Sequence, residues 1–184
     1  MIIINFWLIQ LIGLLAWLFL GISYYRKNTD RILAFQVIAN VLFCLHYLLL
    51  GAYSGLVICS FELVRDYAYY KTDKDNYIFI GSVLVYIICS IITFTTILDV
   101  FPYFASTLDG FFLTKKKTVV VIGAIITYVL WCIYDLYVKS YSGAITDVII
   151  IVSNLFILLF QIDIFKGKRI SRISSRKIKL EKRF

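Results

Sequence analysis

Long runs of residues with little or no charge constrain this chain more than any other feature of its sequence. Seven runs, each of about the length that crosses a bilayer as a helix, follow one another through most of the 184 residues. They are predicted at 5–24, 32–50, 54–70, 77–97, 98–113, 118–138 and 142–165. Since 61% of the residues are hydrophobic and 16% are charged, the apolar surface exceeds what a soluble core of this size could bury. Lipid is therefore the predicted solvent.

The pattern within these runs distinguishes helices from barrel strands. Backbone polar groups in lipid must be satisfied inside the segment or within a closed barrel. Barrel strands would alternate in polarity at every second residue, and these runs do not. The predicted fold class is an all-α membrane protein with seven transmembrane helices. The run at 98–113 is the least regular, because it contains Asp99, Pro102 and Asp109.

The distribution of lysine and arginine predicts how the helices are oriented. In the arrangement with seven spans, 18 of the 19 basic residues fall on one side of the membrane and only Lys139 falls on the other. Cytoplasmic loops accumulate basic residues, so the N-terminus is predicted outside and the C-terminus inside. Without the span at 98–113, the lysines at 115–117 would move to the opposite side and this asymmetry would be lost.

The net charge of +8 reflects this topology and the basic segment at 166–184. That segment interleaves single apolar residues with cations, so it is predicted to lie on anionic lipid headgroups, at about 1 kcal/mol per basic residue. A simple stop-transfer anchor is an equally compatible interpretation. Nucleic-acid binding is not expected, because the basic residues occupy short loops and one tail instead of a folded face.

An offset of 88 residues reveals an internal repeat. Residues 32–70 aligned with 120–158 share nine identities in 39 positions, including Cys44 with Cys132 and Tyr53-Ser54-Gly55 with the same triplet at 141–143. Both copies would cross the membrane three times in the same direction, with one helix between them. The predicted organisation is a three-helix repeat at 1–72, a linker helix at 73–97, a second repeat at 98–165 and a basic cytoplasmic tail at 166–184.

This 3+1+3 arrangement of parallel repeats resembles the topology of the SWEET and PnuC carriers, whose class places the substrate site between the repeats near the bilayer midplane. Individual motifs resemble another family more closely. They are Gln10-x-x-Gly13-x-x-Ala16, the block from Gln36 to Gly51, Arg65, Phe101-Pro102, Tyr141-Ser142-Gly143 and Asn154. Together they are similar to the bacterial inner-membrane family typified by YgjV over about residues 7–165. The resemblance implies a multi-pass protein of the bacterial cytoplasmic membrane.

Polar residues within the predicted spans are the candidate site, because ionisable groups at membrane depth are costly and often functional. Glu62 and Asp109 are predicted near the midplane as the principal substrate contacts. The supporting residues are His46, Asn154, Trp131 and Phe43. Two alternatives remain open. Glu62 and Arg65, three residues apart, could form an ion pair on one helix face, and Asp135 is interpreted as a residue of the outer interface.

The function predicted from these features is transport or facilitated passage of a small polar molecule. A structural or regulatory membrane protein without a substrate and an ion channel are the alternatives. No enzymatic activity is expected, since no hydrolase, metalloprotease or phosphate-loop motif occurs in the sequence. No cofactor or metal is expected either, and the four cysteines are predicted to be packing residues. Self-association into a homo-oligomer is compatible with the sequence.

Overall fold

The computed structural model describes residues 5–24, 29–72, 75–112 and 117–160, which are almost entirely helical. The elements are α1 Phe6–Tyr24, α2 Thr29–Leu50, α3 Tyr53–Lys71, α4 Asp75–Thr93, a 3-10 helix Ile97–Val100, α5 Phe101–Phe112, α6 Lys117–Tyr137 and α7 Tyr141–Leu159. Every predicted run overlaps one of these helices, and the all-α class is confirmed. The basic tail predicted at 166–184 lies outside the described residues.

The boundary between the fourth and fifth runs differs from the prediction. Helix α4 ends at Thr93, four residues before the predicted end at 97. Beyond it, Oδ2 of Asp99 accepts hydrogen bonds from the backbone N–H groups of Thr95, at 3.1 Å, and Thr96, at 2.7 Å. This carboxylate caps the 3-10 helix, and Pro102 then occupies the first turn of α5, where no N–H donor is needed. The fifth run is therefore two consecutive helices.

Four of the helices are long and apolar enough to cross a membrane, judged by length and composition within the described ranges. These segments are Phe6–Ser23, Asn76–Thr93, Thr118–Tyr137 and Tyr141–Leu159. Helix α2 contributes a shorter apolar stretch, Ala34–Leu50. Helix α3 includes Glu62 and Arg65, and α5 has only 12 residues, so neither meets the same criterion. Large apolar side chains are exposed along all of the long helices, as expected for surfaces that face lipid.

Helix packing follows the same order in the two halves of the chain. Helix α1 packs on α2 and α2 packs on α3, while α5 packs on α6 and α6 packs on α7. The halves meet where α1 contacts α7 and where α3 contacts α5. Helix α4 contacts α3 and α5 and is otherwise peripheral, with 6% of its span buried.

The two turns that join α2 to α3 and α6 to α7 have the same backbone geometry. Gly51 has φ of 72° and Lys139, 88 residues later, has φ of 61°. The next residues donate equivalent hydrogen bonds, from Ala52 N to Tyr47 O at 2.9 Å and from Ser140 N to Asp135 O at 2.8 Å. A left-handed residue at this place ends one helix and reverses the chain into the next. Both turns lie at one end of the bundle, which we call the turn end.

Candidate functional site

Two separate groups of polar side chains lie in the interior. The first is centred on Arg65 of α3, which is only 6% exposed. Its Nη2 lies 3.9 Å from Oε1 of Glu62 and 3.4 Å from Oδ2 of Asp109 on α5. The hydroxyl of Ser106 donates a 2.6 Å hydrogen bond to Glu62 Oε1, and Arg65 Nη1 donates to the Ser106 carbonyl at 3.2 Å. We call Glu62, Arg65, Ser106 and Asp109 the Arg65 cluster.

The Arg65 cluster brings together the two carboxylates that the sequence analysis selected as substrate contacts. Both now share a guanidinium group, which balances part of their charge inside the bundle. Asp109 is 42% exposed, so the cluster reaches from the interior to the surface of α5. This arrangement fixes α3 against α5 and leaves less of either carboxylate for a ligand.

The second group lies closer to the turn end, where the two halves of the chain meet. It consists of His46, Tyr47, Tyr134, Asp135 and Ser140, all of which are at most 5% exposed. We call these five residues the central network. Tyr47 OH donates to Asp135 Oδ1 at 2.8 Å, and the Gly55 N–H donates to Tyr134 OH at 2.9 Å. The Ser140 hydroxyl lies 2.9 Å from His46 Nε2. It also lies near the carboxylate of Asp135, because a Cβ placed on Gly143 would meet both groups.

Residues of the central network are paired by the offset of 88. Tyr47 and Asp135 occupy equivalent positions in the two halves and hydrogen bond to each other. His46 and Tyr134 are likewise equivalent, and each reaches across to the helix start of the opposite half. A direct bond between residues at these positions places both of them where the two halves of the chain meet. The interface therefore has polar side chains at its centre.

Two further polar atoms lie beside the central network. Among the described residues, Oγ of Ser142 and Oδ2 of Asp147 are buried and have no hydrogen-bond partner. Ser142 lies next to His46, because a Cβ placed on Gly13 would meet both of them. Buried polar atoms without partners are rare and costly. Both of these atoms could hydrogen bond to a polar molecule that entered the interface.

The remaining predicted site residues are distributed unequally around the central network. Trp131 stacks on Tyr47 with ring centroids 6.1 Å apart, so it borders the network. Phe43 packs edge-on against Trp17 at 5.3 Å. Asn154 donates its side-chain amide to Ile150 O on its own helix at 2.9 Å, and this bond does not join it to either group.

The interpretation of Asp135 as an outer-interface residue is wrong. Its side chain is 1% exposed and is held by the hydroxyls of Tyr47 and Ser140. Tyr47, Ser140 and Asp147 were not among the site residues predicted from the sequence. The offset of 88 already aligned Tyr47 with Asp135, and a search for polar pairs at equivalent positions would have found this one.

A pocket of about 420 Å³ opens at the turn end, and its lining includes Lys139, the residue before Ser140 of the central network. Both helix turns contribute to its walls, together with the connection between α4 and the 3-10 helix. Its polar lining residues are Ser54, Thr93, Thr95, Asp99 and Lys139. Since the turns at Gly51 and Lys139 both border this pocket, both halves of the chain contribute to its walls.

Comparison with known families identifies one match. The family described as Imp-YgjV, bacterial inner membrane protein, matches residues 7–161. No curated protein and no solved structure matches the chain. The match covers every described helix except the first residue of α1, and it confirms the family resemblance drawn from the sequence motifs.

Proposed function

Because the chain belongs to the Imp-YgjV family of bacterial inner membrane proteins, we propose that it carries, or facilitates the passage of, a small polar molecule across that membrane. The observation that carries this proposal is the hydrogen bond between Tyr47 and Asp135 at the interface of the two halves. A bundle built only for stability in lipid has no need of a buried carboxylate between its two halves. In carriers with parallel repeats, the substrate site lies at this interface.

The proposed architecture has seven spans, arranged as three-helix units at 1–72 and 98–165 with the linker helix 73–97 between them. Equivalent packing of the helices and the two equivalent turns support this arrangement. The 3-10 helix rises about 2.0 Å per residue and α5 rises about 1.5 Å per residue, so together they have a length of about 26 Å. This length is close to the thickness of the hydrocarbon core of a bilayer. The likeness to SWEET and PnuC carriers is one of topology.

The proposed orientation places the turn end outside and the connections near residues 25–28, 73–74 and 113–116 inside. Reporter fusions after Lys74, Lys116 and the C-terminus are expected to give cytoplasmic signals, because basic residues concentrate on that side. A fusion at Lys139, the one basic residue of the turn end, is the matched control and should report the periplasm. A periplasmic signal at Lys116 would contradict the fifth span and the orientation together.

The substrate site is proposed at the central network instead of the Arg65 cluster. Glu62 and Asp109 already share Arg65, so they are better suited to holding α3 against α5. The central network has polar groups from both halves, two buried polar atoms beside it and a pocket at one end. Trp131 adds an aromatic wall against Tyr47, a common feature of small-molecule sites.

The uptake test uses purified protein in proteoliposomes. A thermal-shift screen with sugars, amino acids, amines and vitamins first selects a solute, and its radiolabelled form is then used for uptake. Tyr47→Phe removes the donor of the bond between the halves, and Asp135→Asn removes the charge of the buried carboxyl group. Each is expected to lower uptake at least tenfold. Tyr77→Phe, a change on a side chain 76% exposed, is the matched control and should retain uptake.

Glu62→Gln and Asp109→Asn test the competing site in the same assay. If they abolish uptake in folded protein while Tyr47→Phe and Asp135→Asn do not, the site belongs to the Arg65 cluster. If no solute in the panel shifts the melting temperature and none is taken up, the non-transporting alternative replaces the proposed function. The shared guanidinium of the Arg65 cluster is the observation that favours that alternative.

We also propose that the protein is not an enzyme. His46 and Ser140 are within hydrogen-bond distance, as in serine hydrolases, but their surroundings differ from a hydrolytic site. The second ring nitrogen of His46 faces the carbonyl of Ile9 instead of a carboxylate. Ser140 is completely buried, and its hydroxyl also contacts Asp135.

A further inference from the structure

The hydrogen bonds of the central network determine how many protons it can hold. Nδ1 of His46 lies 2.8 Å from the carbonyl oxygen of Ile9, and a carbonyl can only accept, so this nitrogen must carry a proton. The state of Nε2 is then set by Ser140, whose hydroxyl has one proton and two neighbours, His46 and Asp135. Ser140 can donate to only one of them at a time.

Two arrangements satisfy every one of these bonds with no net charge. In the first, Nε2 is protonated and donates to Ser140, and Ser140 donates to an ionised Asp135. In the second, Ser140 donates to a bare Nε2, and a protonated Asp135 donates to Ser140. Both hold one exchangeable proton, and they interconvert when two protons move together through the hydroxyl. Tyr47 donates to Asp135 in both cases.

Loss of that proton leaves a neutral His46 and an ionised Asp135. Ser140 then faces two acceptors with one O–H, so one hydrogen bond is lost and a negative charge remains buried. An unpaired buried acceptor costs more than a typical bond gains. His46 and Ser140 belong to different halves of the chain, and their bond is one of the contacts that hold the turn end together.

We infer that His46, Ser140 and Asp135 form a proton-binding site, and that proton occupancy of this site drives the opening and closing of the turn end. The inference rests on the proposed carrier function and identifies its coupling ion as the proton. The bound proton completes the bonds between the halves, and its release weakens them. A solute could then enter the interface from the turn end.

Other titratable groups also face the site and contribute to its electrostatics. They are Tyr47 of α2, Cys59 of α3, Asp99 of the 3-10 helix, Cys132 and Tyr134 of α6, and Asp147 of α7. Helix α1 contributes the carbonyl of Ile9 and the amide of Gln10, which do not titrate. Within the described ranges, no lysine or arginine forms an ion pair with Asp135. Among these described groups, His46 is therefore the one that can carry a positive charge beside Asp135, and it does so when Nε2 holds the proton.

His46 is the only histidine of the chain, so a single pair of ring-nitrogen signals reports on the site. The experiment records ¹⁵N-histidine NMR spectra and the infrared carboxyl band of Asp135 in lipid-reconstituted full-length protein across a pH series. We expect Nδ1 to remain protonated and one proton step to occur, on Nε2, on Asp135 or on both together. Asp135→Asn identifies the carboxyl band by removing it.

The link through the hydroxyl is tested by Ser140→Ala, which should shift the midpoint of the proton step by at least one pH unit. Ser140→Thr retains a hydroxyl and should restore the midpoint, whereas Ser153→Ala, on an exposed residue of α7, should not change it. A midpoint that is the same in wild type and Ser140→Ala, or the absence of any step on both groups, would overturn the inference. If Ser140→Ala does not fold, the shift is measured with Ser140→Cys.

The two proposals can fail separately. A proton step that responds to Ser140 in a protein that takes up no solute contradicts only the carrier function. Uptake that requires Tyr47 and Asp135 but does not change across the proton step contradicts only the coupling to protons.

Discussion

Replacement of Arg65 by methionine is expected to destabilise the folded protein by about 3–5 kcal/mol, the range found when one partner of a buried ion pair is removed. Arg65 is 6% exposed and lies within ion-pair distance of both Glu62 and Asp109. Methionine fills a similar volume, so the loss comes mainly from two carboxylates without their guanidinium. The measurement is the free energy of unfolding in mixed micelles of a mild detergent and dodecyl sulfate.

Neutralising Glu62 and Asp109 shows how much of the stability lost in Arg65→Met comes from charge and how much from packing. In the Arg65→Met background, Glu62→Gln and Asp109→Asn together should recover more than half of the lost stability, because the two negative charges without a guanidinium are then gone. Lys71→Met, a change on an exposed residue at the end of the same helix, should alter stability by less than about 0.5 kcal/mol. A loss below about 1 kcal/mol in Arg65→Met would show that the Arg65 cluster does not hold α3 against α5.

The number and order of the helices could be predicted from the sequence, because uncharged length is a direct consequence of the bilayer. The start of α7 at Tyr141 and the end of α1 at Tyr24 lie within one residue of the predicted runs. The break between α4 and α5 could not be predicted in the same way. It depends on the carboxylate of Asp99 folding back on two N–H groups, a local contact that hydropathy does not encode.

The candidate site was harder to predict, since the depth of a residue does not reveal its partners. Glu62 and Asp109 were chosen for their depth, and both lie beside Arg65, three residues from Glu62 along the sequence. Asp135 was set aside because it is close to a helix end. Its burial arises from Tyr47 in the other half of the chain, and only the offset of 88 connects these two residues in the sequence.

Helices α6 and α7 approach each other closely at Gly143, and a larger residue at this position is expected to destabilise the protein. A Cβ at this position would overlap Oδ2 of Asp135 and lie 2.6 Å from Oγ of Ser140. Oδ1 of the same carboxylate accepts from Tyr47, and Oγ of Ser140 is hydrogen bonded to His46, so neither group can move aside freely. At the equivalent position, a Cβ on Gly55 would lie 2.8 Å from the ring of Tyr47. The absence of a side chain at Gly143 thus leaves room for Asp135, and its absence at Gly55 leaves room for Tyr47.

Gly143→Ala is therefore expected to destabilise the protein by about 2 kcal/mol, although alanine normally favours a helix over glycine by up to about 1 kcal/mol. Overlap in a packed interior costs about 1–3 kcal/mol, and displacement of Asp135 adds the loss of a hydrogen bond of about 1 kcal/mol. Gly81→Ala is the matched control, since a Cβ there meets nothing within 4 Å and should leave stability unchanged or slightly higher. The unfolding free energies of both variants are measured under the conditions used for Arg65→Met. If Gly143→Ala is as stable as Gly81→Ala, the side chain of Asp135 is free to move. Both proposals depend on a fixed geometry of Asp135, in its bond to Tyr47 and in the proton site, and both would then be contradicted.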